Sequence, residues 1–468
     1  MEVLPNIPPE EKDRIVGPLE LDADLVEDIS ALIDADERGM VLNILADLHP
    51  ADVASITTHL SKDEAQKVLE WLPVETAAEL LAELEDDFRS ELVNSFSQER
   101  LTAMIDELDT DDAADILANL PSEVAEQILP ELEDSDDVKE LLSYEEDTAG
   151  GLMAAEFIAV GIDFTVADAT EEVRLHADKV QDIFVLFVID ENEQLVGTVN
   201  MKRLLLSPAK ARIKDIMKSE VVSVTTDVDQ EEVARIMERY DLVTLPVIDF
   251  EGCLVGRITI DDIVDVIREE AEEDIQRMSG VAGGEEHTDS VLQIVRGRLP
   301  WLLAGLFGAT LAAVVILFFH ESLATAAILA GFIPIVMATA GNAGIQSSAI
   351  AVQGLASGDI WATDFKKRLA KEVYVAIVNG MAVATFLGIA IIIYGQFSSV
   401  ENPFQLAYTA ALALLFVIII ATTVGATIPL LLDKLGIDPA LATGPFITTS
   451  NDILGILIFF LLANLLYL

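Results

Sequence analysis

One aspartate in the C-terminal part of the sequence has the chemistry and the setting of an ion-binding group. Asp452 lies in the largely apolar stretch ATGPFITTSNDILGILIFF. An ionised carboxylate at membrane depth costs at least ~2.5 kcal/mol on insertion scales, so it needs a partner, a cavity or a proton. No Lys or Arg lies at comparable depth in any apolar stretch. We therefore predict that Asp452 lies on an ion pathway.

A second apolar stretch, PIVMATAGNAGIQSSAI, carries polar groups that a membrane anchor does not need. It includes Asn342, Gln346, Ser347 and Ser348. Gly and Pro in such a helix free backbone groups, which are tolerated at membrane depth only against protein or a water-filled cavity. Small and hydroxylated residues in membrane helices also form packing surfaces. For Gly341, Ser347 and Ser348, each taken alone, helix packing is therefore the preferred interpretation.

These stretches belong to a set of five apolar runs long enough to cross ~30 Å of hydrocarbon. The runs are residues 299–319, 323–355, 373–394, 404–432 and 439–466. All seven Lys and Arg residues after position 290 precede the first run or lie between runs two and three or four and five. The positive-inside tendency assigns that side to the cytoplasm. We expect a multi-pass plasma-membrane protein with cytoplasmic N-terminal domains and its C-terminus outside.

The residues before this membrane part form a polyanion. The chain carries 81 acidic and 28 basic residues, and positions 1–290 hold 73 and 21 of them. Such a field repels phosphate, which excludes a nucleic-acid partner and leaves cations as natural partners. Adaptation to a salty cytoplasm also produces acidic surfaces, so that explanation stays open beside cation sensing.

A twelve-residue repeat predicts an all-α superhelical N domain over residues 1–142. Residues typical of helix starts, such as Ser61 and Ser97, follow most of the repeated apolar positions. Each unit is a short helix that cannot bury its apolar face alone, so neighbouring units must stack. The repeated apolar positions are Leu48, Leu60, Leu72, Leu84, Phe96, Leu108, Leu120 and Leu132.

The next segment, residues 143–267, contains two copies of a helix–strand–turn–strand–helix pattern about 59 residues apart. VLFVIDENEQLVGTVNMKRLL matches VTLPVIDFEGCLVGRITIDDIV, and the pair resembles tandem α/β CBS domains. In many such pairs a polar residue and a carboxylate three positions later hold the ribose of an adenine nucleotide. Thr259 and Asp262 fit this pattern, whereas in the first copy Asn200 is followed by Arg203.

An acidic connecting helix is predicted over residues 268–298. Its carboxylates at positions 269, 270, 272, 273 and 274 repel one another at i,i+3 and i,i+4. Water and salt can offset this repulsion, and so can divalent cations that bridge the helix to carboxylates of the CBS modules. The transmembrane pore domain follows as residues 299–468.

In this order, the acidic helical repeat, YEEDTAGGLM, the CBS pair, the connecting helix and the two intramembrane motifs resemble the MgtE family of magnesium channels. The resemblance implies a homodimer with a pore on its two-fold axis, a cytoplasmic gate and Mg²⁺ sensing. It implies that Asp452 binds hydrated Mg²⁺ in the pore, supported by Thr448 and Asn342. It assigns Asp262 to the metal rather than to a nucleotide, because Leu242 replaces an aromatic residue of a related member. The implied sensing carboxylates are Asp229, Glu231, Asp241, Asp262, Asp265, Glu270, Glu273 and Asp274.

We therefore predict a channel for Mg²⁺ uptake that closes when cytoplasmic Mg²⁺ bridges the N domain, the CBS pair and the connecting helix. Mg²⁺ keeps most of its water and is commonly held by one or two carboxylates, which fits one Asp from each subunit. A proton- or sodium-coupled divalent cation carrier is the alternative. An enzyme is disfavoured, because the runs contain no H-E-x-x-H or G-x-S-x-G motif.

Overall fold

The computed structural model describes residues 23–468 except 47, 85, 94, 178–179, 181–182, 282–290, 357–364, 399, 401 and 443. The chain divides into two compact units, Met1–Ile267 and Arg268–Leu468. The predicted N domain and connecting helix therefore fall partly outside the described residues. Their boundaries stay predictions.

Short helices follow the twelve-residue repeat, as predicted. Ser61 begins one of them with a capping box to Glu64, and Ser97 accepts a hydrogen bond from the Arg100 N–H. The repeated apolar residues join the core where one helix ends and the next begins. The helices are α1 Ala23–Asp34, α2 Arg38–Leu45, α3 Pro50–Thr58, α4 Lys62–Trp71, α5 Val74–Ala82, α6 Asp86–Val93, α7 Gln98–Ile105, α8 Thr110–Ala118, α9 Ser122–Ile128 and α10 Ser135–Leu141.

The two CBS modules repeat one topology. In each sheet the first strand pairs in parallel with the second, which pairs antiparallel with the third. Each antiparallel pair shifts register at the equivalent Val-Ile step, which confirms the internal repeat. The elements are β1 Ala159–Gly161, α11 Val166–His176, β2 Val185–Ile189, β3 Leu195–Asn200, α12 Met201–Leu206, α13 Ile213–Ile216, β4 Val224–Thr225, α14 Gln230–Tyr240, β5 Thr244–Ile248, β6 Leu254–Thr259 and α15 Ile260–Met278.

The N domain shares its core with the second module. One apolar cluster runs from Ile29 to Val266 and includes residues of α14, β5 and β6, whereas the first module buries a separate cluster. The segment after α10 adds backbone hydrogen bonds: Ala149 N donates to Val228 O at 2.7 Å, and Gly150 N donates to Thr226 O at 2.9 Å. The N domain is thus docked on the second module.

The second unit contains the membrane helices. Among the described residues, five segments are long and apolar enough to span a bilayer, as predicted: Val291–Phe318, Ala327–Ala356, Lys366–Phe397, Pro403–Lys434 and Gly444–Leu466. The helices are α16 Val291–Phe318, α17 His320–Thr325, α18 Ile333–Ala356, α19 Phe365–Phe397, α20 Pro403–Lys434 and α21 Gly444–Leu466. The structure thus confirms a multidomain fold with a helical N domain, an α/β module pair and a helical membrane domain.

Three membrane helices approach one another closely at glycines. A Cβ added to Gly344 of α18 would lie 1.9 Å from Asn451 Nδ2 of α21. A Cβ added to Gly425 of α20 would lie 2.3 Å from the Gly344 carbonyl oxygen. Because only glycine permits these backbone approaches, α18 is tightly packed against both α20 and α21.

Candidate functional site

The membrane carboxylate Asp452 lies on α21, eight residues after the helix begins at Gly444. At 1.5 Å per residue it is about 12 Å along the helix from that end. Its side chain is partly exposed on the surface of a single chain. Within the described part of the chain, no basic side chain lies close enough to pair with it. This carboxylate must therefore meet water, an ion or another protein surface.

Thr448 lies one helical turn before Asp452 and faces α18. Its hydroxyl donates to the Gly444 carbonyl oxygen at 2.9 Å, so the side chain is fixed to its own helix. Its Cγ2 lies 3.3 Å from the position of a Cβ at Gly341. The predicted pore residues of α21 therefore adjoin the polar motif of α18.

The helix α18 has a polar face that is exposed on the single chain. Asn342, Gln346 and Gln353 are exposed, and their spacing of four and seven residues places them on one side. Gly341 and Gly344 are buried on the side towards the other helices. Amide side chains do not favour lipid, so this face requires an aqueous route or a partner.

A second cluster of carboxylates lies where the N domain meets the second module. Asp262 lies in the first turn of α15, and its Oδ2 accepts a hydrogen bond from Thr259 Oγ1 at 2.7 Å. Asp109, Asp111 and Asp112 come from the N-terminal end of α8 in the N domain. We call Asp109, Asp111, Asp112 and Asp262 the acidic interface.

Burial and mutual repulsion raise the pKa values of these carboxyl groups. Burial, with the charge of Asp262 next, raises the pKa of Asp112 to about 7. Burial raises the pKa of Asp262 to about 6, and the Thr259 hydrogen bond opposes this shift. Burial and the charge of Asp262 raise the pKa of Asp111 well above its ordinary value. The acidic interface therefore holds negative charge that favours a proton or a cation.

Arg257 offsets only part of this charge. Its side chain is buried, and its Nη2 lies 3.8 Å from Asp109 Oδ2. The charge of Arg257 lowers the pKa of Asp109, yet burial, the larger cause, raises it. The charge of Arg89, which is also buried, lowers the pKa of Asp112. Two guanidinium groups thus face four carboxylates of the acidic interface, which leaves more acidic than basic groups there.

Glu156 fixes the same end of α8 to the chain that enters the first module. Its Oε1 accepts a hydrogen bond from Thr110 N at 3.0 Å, and its Oε2 accepts one from Thr110 Oγ1 at 2.8 Å. Ala155 N also donates to Thr110 Oγ1 at 2.9 Å. The carboxylate caps α8 from outside the helix, a contact that the repeat pattern could not indicate.

The other predicted sensing residues of the first unit are more exposed. Asp229 begins α14, and its carboxylate accepts from the Glu231 N–H at 2.9 Å. Asp241 ends that helix in the left-handed conformation, with φ 50°. Asp265 is exposed on α15. These carboxylates therefore lie at the two ends of α14 and on α15, where they are open to solvent.

In the second unit, Glu273 and Asp274 lie near Asp438, which precedes the last span. Arg277 pairs with Glu273 one turn earlier, and its Nη1 lies 2.5 Å from Asp438 Oδ2. Burial raises the pKa of Asp274, and the charges of Asp438 and Glu270 add to the shift. The end of α15 is therefore fixed to the segment before α21 by a basic residue among acidic ones.

The two residues predicted to hold a nucleotide ribose contact each other. Thr259 and Asp262 share the 2.7 Å hydrogen bond. A cavity between the modules, lined by Phe157, Phe187 and Arg257 among others, has a volume of about 10 Å³. Ligand sites for molecules of nucleotide size have volumes of several hundred Å³. This cavity is therefore too small for a nucleotide, and neither Thr259 nor Asp262 lines it.

Among the described residues, no three Asp, Glu, His or Cys side chains already surround a common metal position. Mg²⁺ does not require such a cage, since it keeps several waters and binds through one or two carboxylates. Oxygen ligands with uncompensated charge, as at the acidic interface, are the type that suits it.

Sequence reasoning missed the N-domain half of this interface. The run DTDDAAD starting at Asp109 contains four aspartates in seven residues at a helix start, which is a usable signal. It does not reveal which module the run faces. The pairing of Asp438 with Arg277 was also missed, because it joins residues 161 positions apart in the sequence.

Three family models match the chain. The model described as "Divalent cation transporter" matches residues 333–462, "MgtE intracellular N domain" matches 48–147, and "CBS domain" matches 213–269. The fold and these matches define a multi-pass membrane transporter for divalent cations with an intracellular helical domain.

Similar proteins narrow this class. The chain is 36% identical over 329 residues to the magnesium transporter MgtE of Enterococcus faecalis, covering 70% of this chain and 71% of that protein. It is 33% identical to the magnesium transporter MgtE of Bacillus subtilis, and the match covers 90% of this chain and 93% of that protein. It is also 33% identical to the magnesium transporter MgtE of Thermus thermophilus, and the match covers 93% of this chain and 97% of that protein. The chain belongs to the MgtE family of magnesium transporters. A crystal structure of the cytosolic domain of the Mg²⁺ channel MgtE in complex with ATP is 34% identical, covers 52% of this chain and 99% of that one, and has a TM-score of 0.49.

Proposed function

We propose that this protein is a Mg²⁺ channel for magnesium uptake, which works as a homodimer and closes when cytoplasmic Mg²⁺ binds its acidic domains. The observation that carries the proposal is the polar surface of the membrane unit. Asn342 and Gln346 are exposed on α18, and Thr448 and Asp452 lie on the adjoining helix α21. A surface with these side chains is unfavourable in lipid.

A second copy of the chain supplies a partner of matching polarity. If two copies meet through this surface, their polar faces enclose a route on the two-fold axis. Each subunit then contributes one Asp452 carboxylate to the route and one Thr448 a helical turn away along it. Hydrated Mg²⁺ is commonly held by one or two carboxylates, and a site of this kind releases its ion readily enough for conduction.

The acidic interface supports closure by cytoplasmic Mg²⁺. Without a cation, ionised Asp111, Asp112 and Asp262 repel one another across the junction of the N domain and the second module. A bound Mg²⁺ removes this repulsion and favours the docked arrangement. Several weak sites acting together can supply the ~5.5 kcal/mol that moves a two-state gate from 1:99 to 99:1.

The predicted sensing residues contribute at further positions of this mechanism. Glu270, Glu273 and Asp274 lie on the part of α15 within the membrane unit, where Mg²⁺ would add to the attraction that Arg277 already supplies. Asp229, Glu231, Asp241 and Asp265 offer exposed carboxylates for more weakly held ions. Asp262 cannot serve a nucleotide ribose and an interface cation at once, and we assign it to the cation.

The proposed topology follows from the basic residues. Lys366, Lys367 and Lys434 lie at the ends of α19 and α20. The positive-inside tendency places these ends in the cytoplasm, and the end of α21 at Leu466 outside.

The test is Mg²⁺ flux into liposomes that contain the purified full-length protein and a Mg²⁺ indicator dye. We expect uptake that follows the Mg²⁺ gradient and the membrane potential when neither a proton nor a sodium gradient is present. Uptake that requires one of those gradients would identify a coupled carrier. Light scattering of the detergent-solubilised protein should give the mass of two chains, and a single-chain mass would contradict the shared route.

A further inference from the structure

A second carboxylate of the membrane domain, Glu372, contacts a buried side of α18 rather than its exposed polar face. Glu372 of α19 accepts a hydrogen bond on its Oε2 from Ser347 Oγ of α18 at 3.0 Å. Ser347 is only 4% exposed. It follows Gln346, whose side chain is exposed, so it points about 100° away from the polar face. Glu372 thus contacts a buried side of α18, about 100° around the helix from the exposed Gln346.

A second polar contact runs in parallel with the first. Arg368 lies one turn before Glu372 on α19, and its Nη2 donates to the Ile350 carbonyl oxygen of α18 at 3.1 Å. Residues four apart lie on the same face of a helix, so both side chains project towards α18. The beginning of α19 is therefore joined to the second half of α18 at two points.

The Ser347 contact lies about one helical turn along α18 from the place where this helix packs on α21. Gly344, one turn before Ser348 on α18, packs directly against Asn451, the residue before Asp452. A rotation or shift of α18 at Ser347 would therefore be felt beside Asp452.

A carboxylate within a membrane span has an energetic cost. The hydrogen bond from Ser347 explains why the Glu372 side chain points towards α18. Side chains near the end of a span can keep their charge towards the interface, so Glu372 need not contact the transported ion. Its one hydrogen bond in the described structure goes to a serine of the helix that carries Asn342 and Gln346.

We infer that Glu372 is a positioning residue: through Ser347 it holds α18 in the rotation that packs its glycines against the helix of Asp452. The inference rests on the proposed conduction of Mg²⁺. It assigns Glu372 no contact with the ion. The hydrogen bond, rather than the negative charge, is the feature on which conduction depends.

The test compares Glu372→Gln with Glu372→Asp in the liposome flux assay. Glutamine keeps the length and an acceptor oxygen without charge, whereas aspartate keeps the charge but shortens the side chain by one methylene. We expect Glu372→Gln to conduct Mg²⁺ at close to the wild-type rate. We expect Glu372→Asp and Glu372→Ala to lose about fivefold, the equivalent of one hydrogen bond. A result in which Asp conducts normally and Gln does not would overturn the inference in favour of a charge effect.

A double-mutant cycle tests the partner. Ser347→Ala should reduce flux as much as Glu372→Ala, and the double variant should lose no more than either single one. Ser348→Ala is the matched control, because Ser348 is a neighbouring, fully buried serine whose hydroxyl has no hydrogen-bond partner among the described residues. Additive losses, or normal flux in Ser347→Ala, would contradict the inference.

Two further readings separate positioning from other effects. Each variant should elute from size exclusion as the wild-type species, and flux is expressed per reconstituted protein, so that misfolding is not counted as lost conduction. The Mg²⁺ concentration that half-closes the channel should stay unchanged, because the acidic interface is untouched. If the wild type carries no Mg²⁺, the proposed function fails. If the wild type conducts and the variants match it, only this inference fails.

Discussion

Glu156 and Thr110 form two hydrogen bonds that join the N domain to the segment leading into the CBS modules. The carboxylate accepts from the Thr110 N–H at 3.0 Å and from its hydroxyl at 2.8 Å. Both contacts are direct hydrogen bonds between protein groups, so we expect them to favour the docked N domain independently of Mg²⁺. The acidic interface, by contrast, opposes docking until a cation or protons reduce its charge.

Replacing Glu156 by Ala should make closure require more Mg²⁺. The lost helix cap removes about 1 kcal/mol of docking free energy, which corresponds to about fivefold in the half-closing Mg²⁺ concentration. Liposome flux measured against internal Mg²⁺ gives this concentration. Glu123→Ala, at an exposed first-turn acid of α9, is the matched control. An unchanged half-closing Mg²⁺ concentration in Glu156→Ala would show that the Glu156–Thr110 hydrogen bonds do not contribute to gating.

Stability without metal should fall as the pH rises towards and above neutrality. The folded pKa values of Asp112 and Asp262, about 7 and about 6, lie above those of unfolded aspartate. The folded state therefore binds more protons, and the stability from these groups, complete below about pH 4, is lost as the pH rises through 6 and 7. Thermal unfolding of the full-length protein with chelator should give a higher Tm at pH 5.5 than at pH 8. Mg²⁺ should raise the Tm more at pH 8, and a Mg²⁺ effect that is larger at pH 5.5 would contradict this sign.

Replacing Asp112 by Asn should stabilise the metal-free protein at pH 8 and reduce its response to Mg²⁺. The amide removes a buried charge that Asp262 and Asp109 repel. For a unit of this size each kcal/mol changes the Tm by roughly 2–4 °C. The control Asp215→Asn removes an exposed acid of the first module and should change neither quantity. A lower Tm and an undiminished Mg²⁺ response in Asp112→Asn would argue against a cation at this interface.

Replacing Arg277 by Gln should also raise the Mg²⁺ concentration needed for closure. The guanidinium pairs with Glu273 and Asp438, and its loss leaves carboxylates facing one another beside Asp274. Because the pair is partly exposed, the effect should be about 1 kcal/mol or less, which is at most about fivefold. Lys434→Gln is the control, since Lys434 is an exposed cation at the end of α20. Closure at lower Mg²⁺ in Arg277→Gln would mean that Arg277 competes with the metal instead of assisting it.

Much of the fold follows from local sequence patterns. The twelve-residue repeat predicts the short helices because each needs its own start signal, and Ser61, Ser97 and Asp109 do begin helices. The membrane helices were predictable since each must be apolar over about 20 residues by itself. Such features are encoded within short windows of sequence.

The residues of the candidate site were predictable only where a short stretch of sequence around them carries the signal. Asp452 is evident because the residues after it are apolar. Asp111 and Asp112 were missed, since their partner Asp262 lies about 150 residues further on and only the packing of the N domain on the second module brings them together. Ser347 and Glu372 were missed as a pair for the same reason: each is unremarkable within its own helix.

The most direct test of Mg²⁺ conduction at Asp452 is gradient-driven flux through Asp452→Asn in liposomes. The wild type and the control Asp433→Asn, which lacks an exposed carboxylate at the end of α20, should take up Mg²⁺ at equal rates. Asp452→Asn should lose most of its flux while it remains folded and dimeric. Wild-type Mg²⁺ uptake by folded Asp452→Asn would contradict the claim that this carboxylate lies on the route of the ion.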